Sequence, residues 1–378
     1  MGTLLIVLAA AVATIVVVLT IIGYINNIFS IAERINQLTG HTPKPATAEQ
    51  QEETNRLLRE IRGGLARPPQ GAADMPTDEL AKAAGPDTGA RLQEALELQA
   101  QNKHKEAIDA LYEAFRKDLE PRAKAQLHGL IGNSFASISE LEEAEGHYRQ
   151  ALSASRTGKI RKYEAASLGN LGNVYANKGD LERAGRQYQA ALAIDREIGN
   201  RRGEASALGN LGNVYAGQGD LERAKEHYNA ALAFYRESGY RQGEASQLGN
   251  LGIVYADQGD LPRAEEHHQA ALSIHRVIGH REGEANELIN LGRVYNQQGD
   301  LTRAEEHCRG ALVIDRQISN RLGEAQDLGN LGVLAAKRDR RDEACRLLKQ
   351  AAGLYDQVGA GGQGPDSVRA KLRELGCE

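Results

Sequence analysis

An alanine returns every 40 residues through this chain, at Ala144, Ala184, Ala224, Ala264, Ala304 and Ala344, with an earlier copy at Ala107. The residues around it return as well. "LGNLGNVYANKGDLERA" runs from Leu168 to Ala184 and is nearly repeated from Leu208 to Ala224. A period of this size marks a repeat architecture. Each unit is one supersecondary element that cannot bury its apolar face alone, so the units must stack and share a continuous core. Seven units fit between residues 91 and 356.

Each unit carries two helical patterns. In the first, Leu168, Leu171 and Tyr175 share one face, with Gly172 beside them. In the second, Leu181, Ala184, Tyr188, Ala191 and Leu192 form another apolar face. The dipeptide Gly179-Asp180 separates them. It suits a left-handed C-terminal cap followed by an N-cap, and it recurs at Gly219-Asp220, Gly259-Asp260 and Gly299-Asp300. Gly199, Gly239 and Gly279 end the second helices. Arg201, Arg241, Arg281 and Arg321 open the next ones, with Glu204, Glu244, Glu284 and Glu324 three residues on, where the positive end of a helix favours an anion.

The pattern L-x2-L-G-x2-Y, A-x3-Y, A, carried by Leu168, Leu171, Gly172, Tyr175, Ala184, Tyr188 and Ala191, resembles the tetratricopeptide repeat (TPR). The 40-residue form is similar to the arrays of the LGN/Pins family and, more loosely, of kinesin light chains. The resemblance covers residues 91–356. It implies an all-α superhelical solenoid of about seven helix pairs, which the chain itself precedes with one transmembrane helix. It also implies that the first helices of successive units line a concave groove. A spindle-orientation role is not expected to carry over, because the chain adds a membrane span and only about twenty residues follow the array. Carboxylate-clamp co-chaperone work is also not expected, since Ala166, Gly169, Ser206 and Gly209 stand where that subfamily needs Lys and Arg.

Gly and Asn are poor helix formers, by about 1 and 0.5–0.7 kcal/mol against Ala, so their repetition needs a reason. Gly132, Gly172, Gly212, Gly252, Gly292 and Gly332 lie beside the apolar face, where they would let the two helices of a unit approach. The asparagines lie elsewhere. With Leu168 at zero and about 100° per residue, Asn170, Asn173 and Asn177 fall at about 200°, 140° and 180°, opposite the buried leucines. The resemblance puts that stripe in the groove. The expected partner-binding ladder is Asn133; Asn170 and Asn173; Asn210 and Asn213; Asn250; Asn290 with Arg293; and Asn330. An amide offers two donors and an acceptor, enough to grip a peptide backbone whatever its sequence. The alternative is that the asparagines brace the repeats. The second asparagine gives way to Ile253, Arg293 and Val333, a variation that would favour partner contact, and Arg293 would face an acidic group.

The N-terminus differs in kind. Residues 3–22, TLLIVLAAAVATIVVVLTII, carry no charge and would span about 30 Å as a helix, one bilayer core. No basic segment precedes the run and no small-residue cleavage motif follows it, so residues 1–23 are expected to be a retained anchor rather than a signal peptide. Arg34 and Lys44 follow the span and none precedes it, which places the array on the cytoplasmic side. Residues 24–90 read as short juxtamembrane helices and a linker rich in Pro, Gly and Ala. Residues 357–378 read as a capping helix with Val368, Leu372 and Leu375 on one side.

Net charge is −5, with no basic stripe, which argues against a nucleic-acid partner. The three cysteines, Cys308, Cys345 and Cys377, are odd in number and match no metal spacing, so neither a disulfide nor a zinc site is expected. Cys308 stands where other units place Tyr148, Tyr188 and Tyr228 and belongs in the core. The recurring His147, His227, His267 and His307 sit on second helices too far apart to share a metal. No catalytic constellation, cofactor motif or metal motif is present, so the expected function is a membrane-anchored, non-catalytic module. It would bind an extended or helical protein or peptide segment in its groove. The alternative is a self-associating scaffold of a membrane complex.

Overall fold

The computed structural model describes residues 86–115, 119–360 and 362–377. They form fifteen α-helices: α1 (Pro86–Ala100), α2 (His104–Ala114), α3 (Pro121–Ser137), α4 (Leu141–Thr157), α5 (Arg161–Asn177), α6 (Leu181–Glu197), α7 (Arg201–Gly217), α8 (Leu221–Glu237), α9 (Arg241–Asp257), α10 (Leu261–Ile278), α11 (Arg281–Gln298), α12 (Leu301–Gln317), α13 (Arg321–Lys337), α14 (Arg341–Gln357) and α15 (Gln363–Leu375). No strand occurs among the described residues. The anchor at residues 3–22 and the juxtamembrane segment lie outside them. Among the described helices none is long and apolar enough to cross a membrane.

The turn chemistry acts as its residues dictate. Gly179, Gly219, Gly259 and Gly299 take φ of 78°, 81°, 79° and 83°, a left-handed conformation that glycine adopts without a Cβ clash. The next residue then caps the second helix. Asp180, Asp220, Asp260 and Asp300 accept the backbone N–H three residues on, at 2.9–3.2 Å.

Packing is sequential, each helix lying against the next. Leu171, Tyr175, Ala184, Tyr188 and Leu192 share one buried cluster with Ala205, Leu208 and Leu211 of the following unit, so the core runs across unit boundaries. Charge ties the same boundaries. Glu204 holds Arg196 of the preceding helix at 3.0 Å and Arg201 of its own at 2.8 Å. Glu164, Glu244, Glu284 and Glu324 repeat the clamp with their own arginine pairs. Burial raises the pKa of Glu324, but its bonds to Arg316 and Arg321 outweigh that and hold it below the usual carboxylate range.

First helices of successive pairs touch one another from α3 through α11, more closely than second helices do. They therefore line the inner side of the stack, the side that carries the asparagines.

Candidate functional site

The glycines open the site from below. A Cβ on Gly132, Gly172 or Gly212 would meet the ring of Tyr148, Tyr188 or Tyr228 at 2.5–2.7 Å. The close approach expected at these glycines takes a particular form. Each of these three makes room for an aromatic ring that passes over its helix from the second helix of the unit, and at Gly292 and Gly332 the backbone oxygens of Ala304 and Ala344 come within 3.3 and 3.4 Å of the place of a Cβ.

That ring carries a hydroxyl to the inner face. Tyr148, Tyr188 and Tyr228 each donate to the side-chain oxygen of the asparagine next to the glycine, Asn133, Asn173 and Asn213, at 2.7 Å. Burial pushes the Tyr228 hydroxyl up to about 12 and the other two higher still, so all three remain donors. The bond orients each amide. Its oxygen is taken, and its N–H donors make no bond among the described residues.

The second asparagine therefore varies for an architectural reason. Where the ring becomes His268, Cys308 and Leu348, no phenol needs an acceptor, and Ile253, Arg293 and Val333 replace the asparagine. The variation that seemed to favour partner contact follows the facing side chain. It was legible in the sequence as an asparagine fifteen residues before each tyrosine, a separation that a single-helix wheel does not examine.

The first asparagines behave differently. Asn170 is buried and reaches Asn133 at 3.4 Å, and Asn250 reaches Asn213 at 3.4 Å, both long bonds between neighbouring units. Asn210, Asn290 and Asn330 are half-buried and make no hydrogen bond among the described residues. Arg293 is exposed and likewise unpaired. The ladder thus divides into braced amides and free ones.

The histidines also divide. His227, His267 and His307 place Nδ1 2.8–2.9 Å from the carbonyl four residues back and lay their rings against Tyr215, Tyr255 and Tyr295. His268 is buried, with Nδ1 2.7 Å from Glu287 Oε2. Near the opposite end of the array, His128 and His147 sit 3.1 Å apart through their Nδ1 atoms. Among the described residues no group of three or more His, Cys, Asp or Glu side chains could hold a metal ion.

The cysteine reading needs correction. Cys345 and Cys377 are joined in a disulfide, with Cα atoms 5.4 Å apart, while Cys308 is free and buried. The bridge forms because α15 folds back onto α14 and α13, which brings a cysteine near the chain's end beside one on α14. Arg341 binds the carbonyl oxygens of Leu375 and Gly376 at 2.8 and 3.0 Å, fixing the same end.

The fold and inner face define an all-helical repeat array. Models of the tetratricopeptide repeat match residues 92–159 and 163–237, and a model of the MalT-like TPR region matches residues 202–360. The chain is a tetratricopeptide-repeat protein, and its array is a protein–protein interaction module. It is similar in fold to the tetratricopeptide-sensor STAND protein of Pyrococcus horikoshii, at 19% identity and TM-score 0.60, over 85% of this chain and 49% of that one. The apo form of RapI matches at 14% identity and TM-score 0.59, over 72% of this chain and 99% of that one. A Rap protein complexed with Competence and Sporulation Factor matches at 16% identity and TM-score 0.57, over 87% and 92%. Comparison with curated proteins finds no match.

Proposed function

We propose that the inner face of α3, α5, α7, α9, α11 and α13 binds an extended segment of a protein or peptide partner. The observation that carries this reading is the row of unpaired amides Asn210, Asn290 and Asn330, on the side of their helices away from the buried leucines. A helix interior gains nothing from such residues, whereas a peptide backbone supplies both acceptors and donors for them. The neighbouring Rap structure, complexed with Competence and Sporulation Factor, agrees with use of this fold as a receptor. No catalytic role is proposed.

The test is selection of random 12-residue peptides displayed on phage against the 378-residue chain in detergent. Binders are expected. Replacing Asn210, Asn290 and Asn330 together by Ala should leave the melting temperature unchanged or raised. It should weaken the selected peptides about tenfold or more, since each lost bond contributes about 0.5–1.5 kcal/mol. Failure to select any peptide, or equal binding by the triple variant, would sink the reading.

Residues 1–23 as a membrane tether complete the proposal. Its support is their uncharged sequence, and resistance of the chain to alkaline carbonate extraction is its test. Arg34 and Lys44 favour the cytoplasmic side for the array. The disulfide weighs the other way, since such bonds persist in oxidising compartments and are reduced in the cytosol.

A further inference from the structure

The inner face changes character at the fifth and sixth units. From α3 to α8, each ring under the face is a tyrosine whose hydroxyl is tied to an asparagine, so the floor is closed by a neutral, satisfied pair. At α10 the ring is the shorter imidazole of His268, whose Nδ1 turns to Glu287. At α12 it is the small thiol of Cys308. Neither reaches the place of the tyrosine hydroxyl. A small hollow of about 10 Å³ remains, lined in part by Ile253, Asp257, His268, Asn290, Arg293 and Gln297. That volume holds about one water-sized atom.

Arg293 lines this hollow without an ion pair. Every other arginine between Arg149 and Arg341 is engaged among the described residues, by a carboxylate, a hydroxyl, a carbonyl or an aromatic ring. Arg293 alone in that stretch makes no ion pair, hydrogen bond or ring contact. Arg346 on α14 is unpaired as well, but it lies on a second helix, whereas Arg293 lies on a first helix, on the inner face. Asn290, three residues before it, is also unpaired. Ile253 is 38% exposed, a large aliphatic side chain on the same lining. Asp257 lines the other part, without an ion pair to Arg293.

We infer that this hollow is where the groove reads sequence rather than backbone: Arg293 takes the carboxylate of one acidic residue in the partner segment, next to an aliphatic residue seated on Ile253. A guanidinium offers a planar fork of donors that matches a carboxylate, and the Asn290 amide adds a donor beside it. The hollow admits one oxygen. Asp257 repels a second carboxylate, so the segment carries a single acidic residue here rather than an acidic run. The inference rests on the groove reading above and names what the groove selects at one place.

The same phage selection decides it, run on the wild type, Arg293→Gln and Arg293→Glu. The Arg293 side chain makes no ion pair, hydrogen bond or ring contact in the chain, so both variants should melt with the wild type. The wild-type pool should be enriched several-fold in peptides with one Asp or Glu adjacent to Leu, Ile or Val. Arg293→Gln should still select peptides but lose that enrichment, and Arg293→Glu should shift the pool toward Lys or Arg at the same place. Asp257→Asn should admit peptides with two adjacent acids. If all the variants select the wild-type pool, Arg293 does not read the partner, although the groove binds. If the folded wild type selects nothing, the groove reading and this inference fail together.

Discussion

The hydroxyl of Tyr188 donates to Oδ1 of Asn173 across the two helices of one unit, at 2.7 Å, and the ring that carries it lies over Gly172. Three residues of the repeat are thereby explained at once. The glycine admits the ring, the ring delivers the hydroxyl, and the asparagine accepts it.

This geometry sets the first stability prediction. Asn173→Ala gains helix propensity of about 0.5–0.7 kcal/mol but leaves a half-buried hydroxyl without its acceptor, at about 1–3 kcal/mol. The net effect expected is destabilisation by about 1 kcal/mol. Tyr188→Phe in the Asn173→Ala background should cost little more, because the bond is already gone. A double-mutant cycle by urea denaturation measures the coupling, expected at about 0.5–1.5 kcal/mol. A coupling of zero would show that the bond contributes nothing to folding.

Two glycines one turn apart should respond oppositely. A Cβ on Gly172 would lie 2.5 Å from the Tyr188 ring, so Gly172→Ala forces the ring or helix to shift, at about 1–3 kcal/mol. Gly169, in the same helix, has nothing within 4 Å of the place a methyl would take, so Gly169→Ala should stabilise by about 0.5–1 kcal/mol. Melting temperatures of the two variants should move in opposite directions, and movement in the same direction would count against the packing role.

What the sequence revealed and what it withheld follow one division. Features confined to one helix or one turn were readable: the left-handed Gly179, the capping Asp180 and the buried face of Leu168, Leu171 and Tyr175. Features that join two helices were not. The wheel placed Asn173 on the open side correctly, yet gave no sign that a tyrosine from the second helix reaches around to it. The Arg196–Glu204–Arg201 clamp was read only as a charge suited to a helix start. An odd cysteine count hid the bond between Cys345 and Cys377, because pairing depended on how α15 folds back.

That bond makes the end of the array sensitive to reductant. It closes a loop across 32 residues of sequence, worth about 3–4 kcal/mol of unfolded-chain entropy. Dithiothreitol should lower the melting temperature of the wild type and leave Cys377→Ser unaffected. Hydrogen exchange should rise first in α15, whose Val368 and Leu372 pack on the last pair of helices. Equal melting with and without reductant would mean that Arg341 and the apolar contacts hold the end unaided.

The last prediction concerns pH and follows from Asp327 on α13. This side chain is 1% exposed, with Asp315 of α12 as its neighbour and Glu324 one turn back on its own helix. Burial first, then the charge of Asp315, pushes its carboxyl up to about 8, and burial raises Asp315 as well. Asp315 thus favours a proton on Asp327, by its charge and as a hydrogen-bond partner. An unfolded Asp titrates near 3.9, so between about pH 4 and 8 the folded state binds more protons than the unfolded one. Stability must then fall as pH rises through that window and level off above it. The expected loss from pH 5 to pH 8.5 is about 1–3 kcal/mol, read as a lower urea midpoint. Asp327→Asn keeps a donor for Asp315 without a carboxyl to ionise. It should flatten the profile, matching wild type at pH 5 and exceeding it at pH 8.5. A wild-type midpoint that rises with pH over this range, or a variant that tracks the wild type at every pH, would show that Asp327 does not hold a proton in the folded chain.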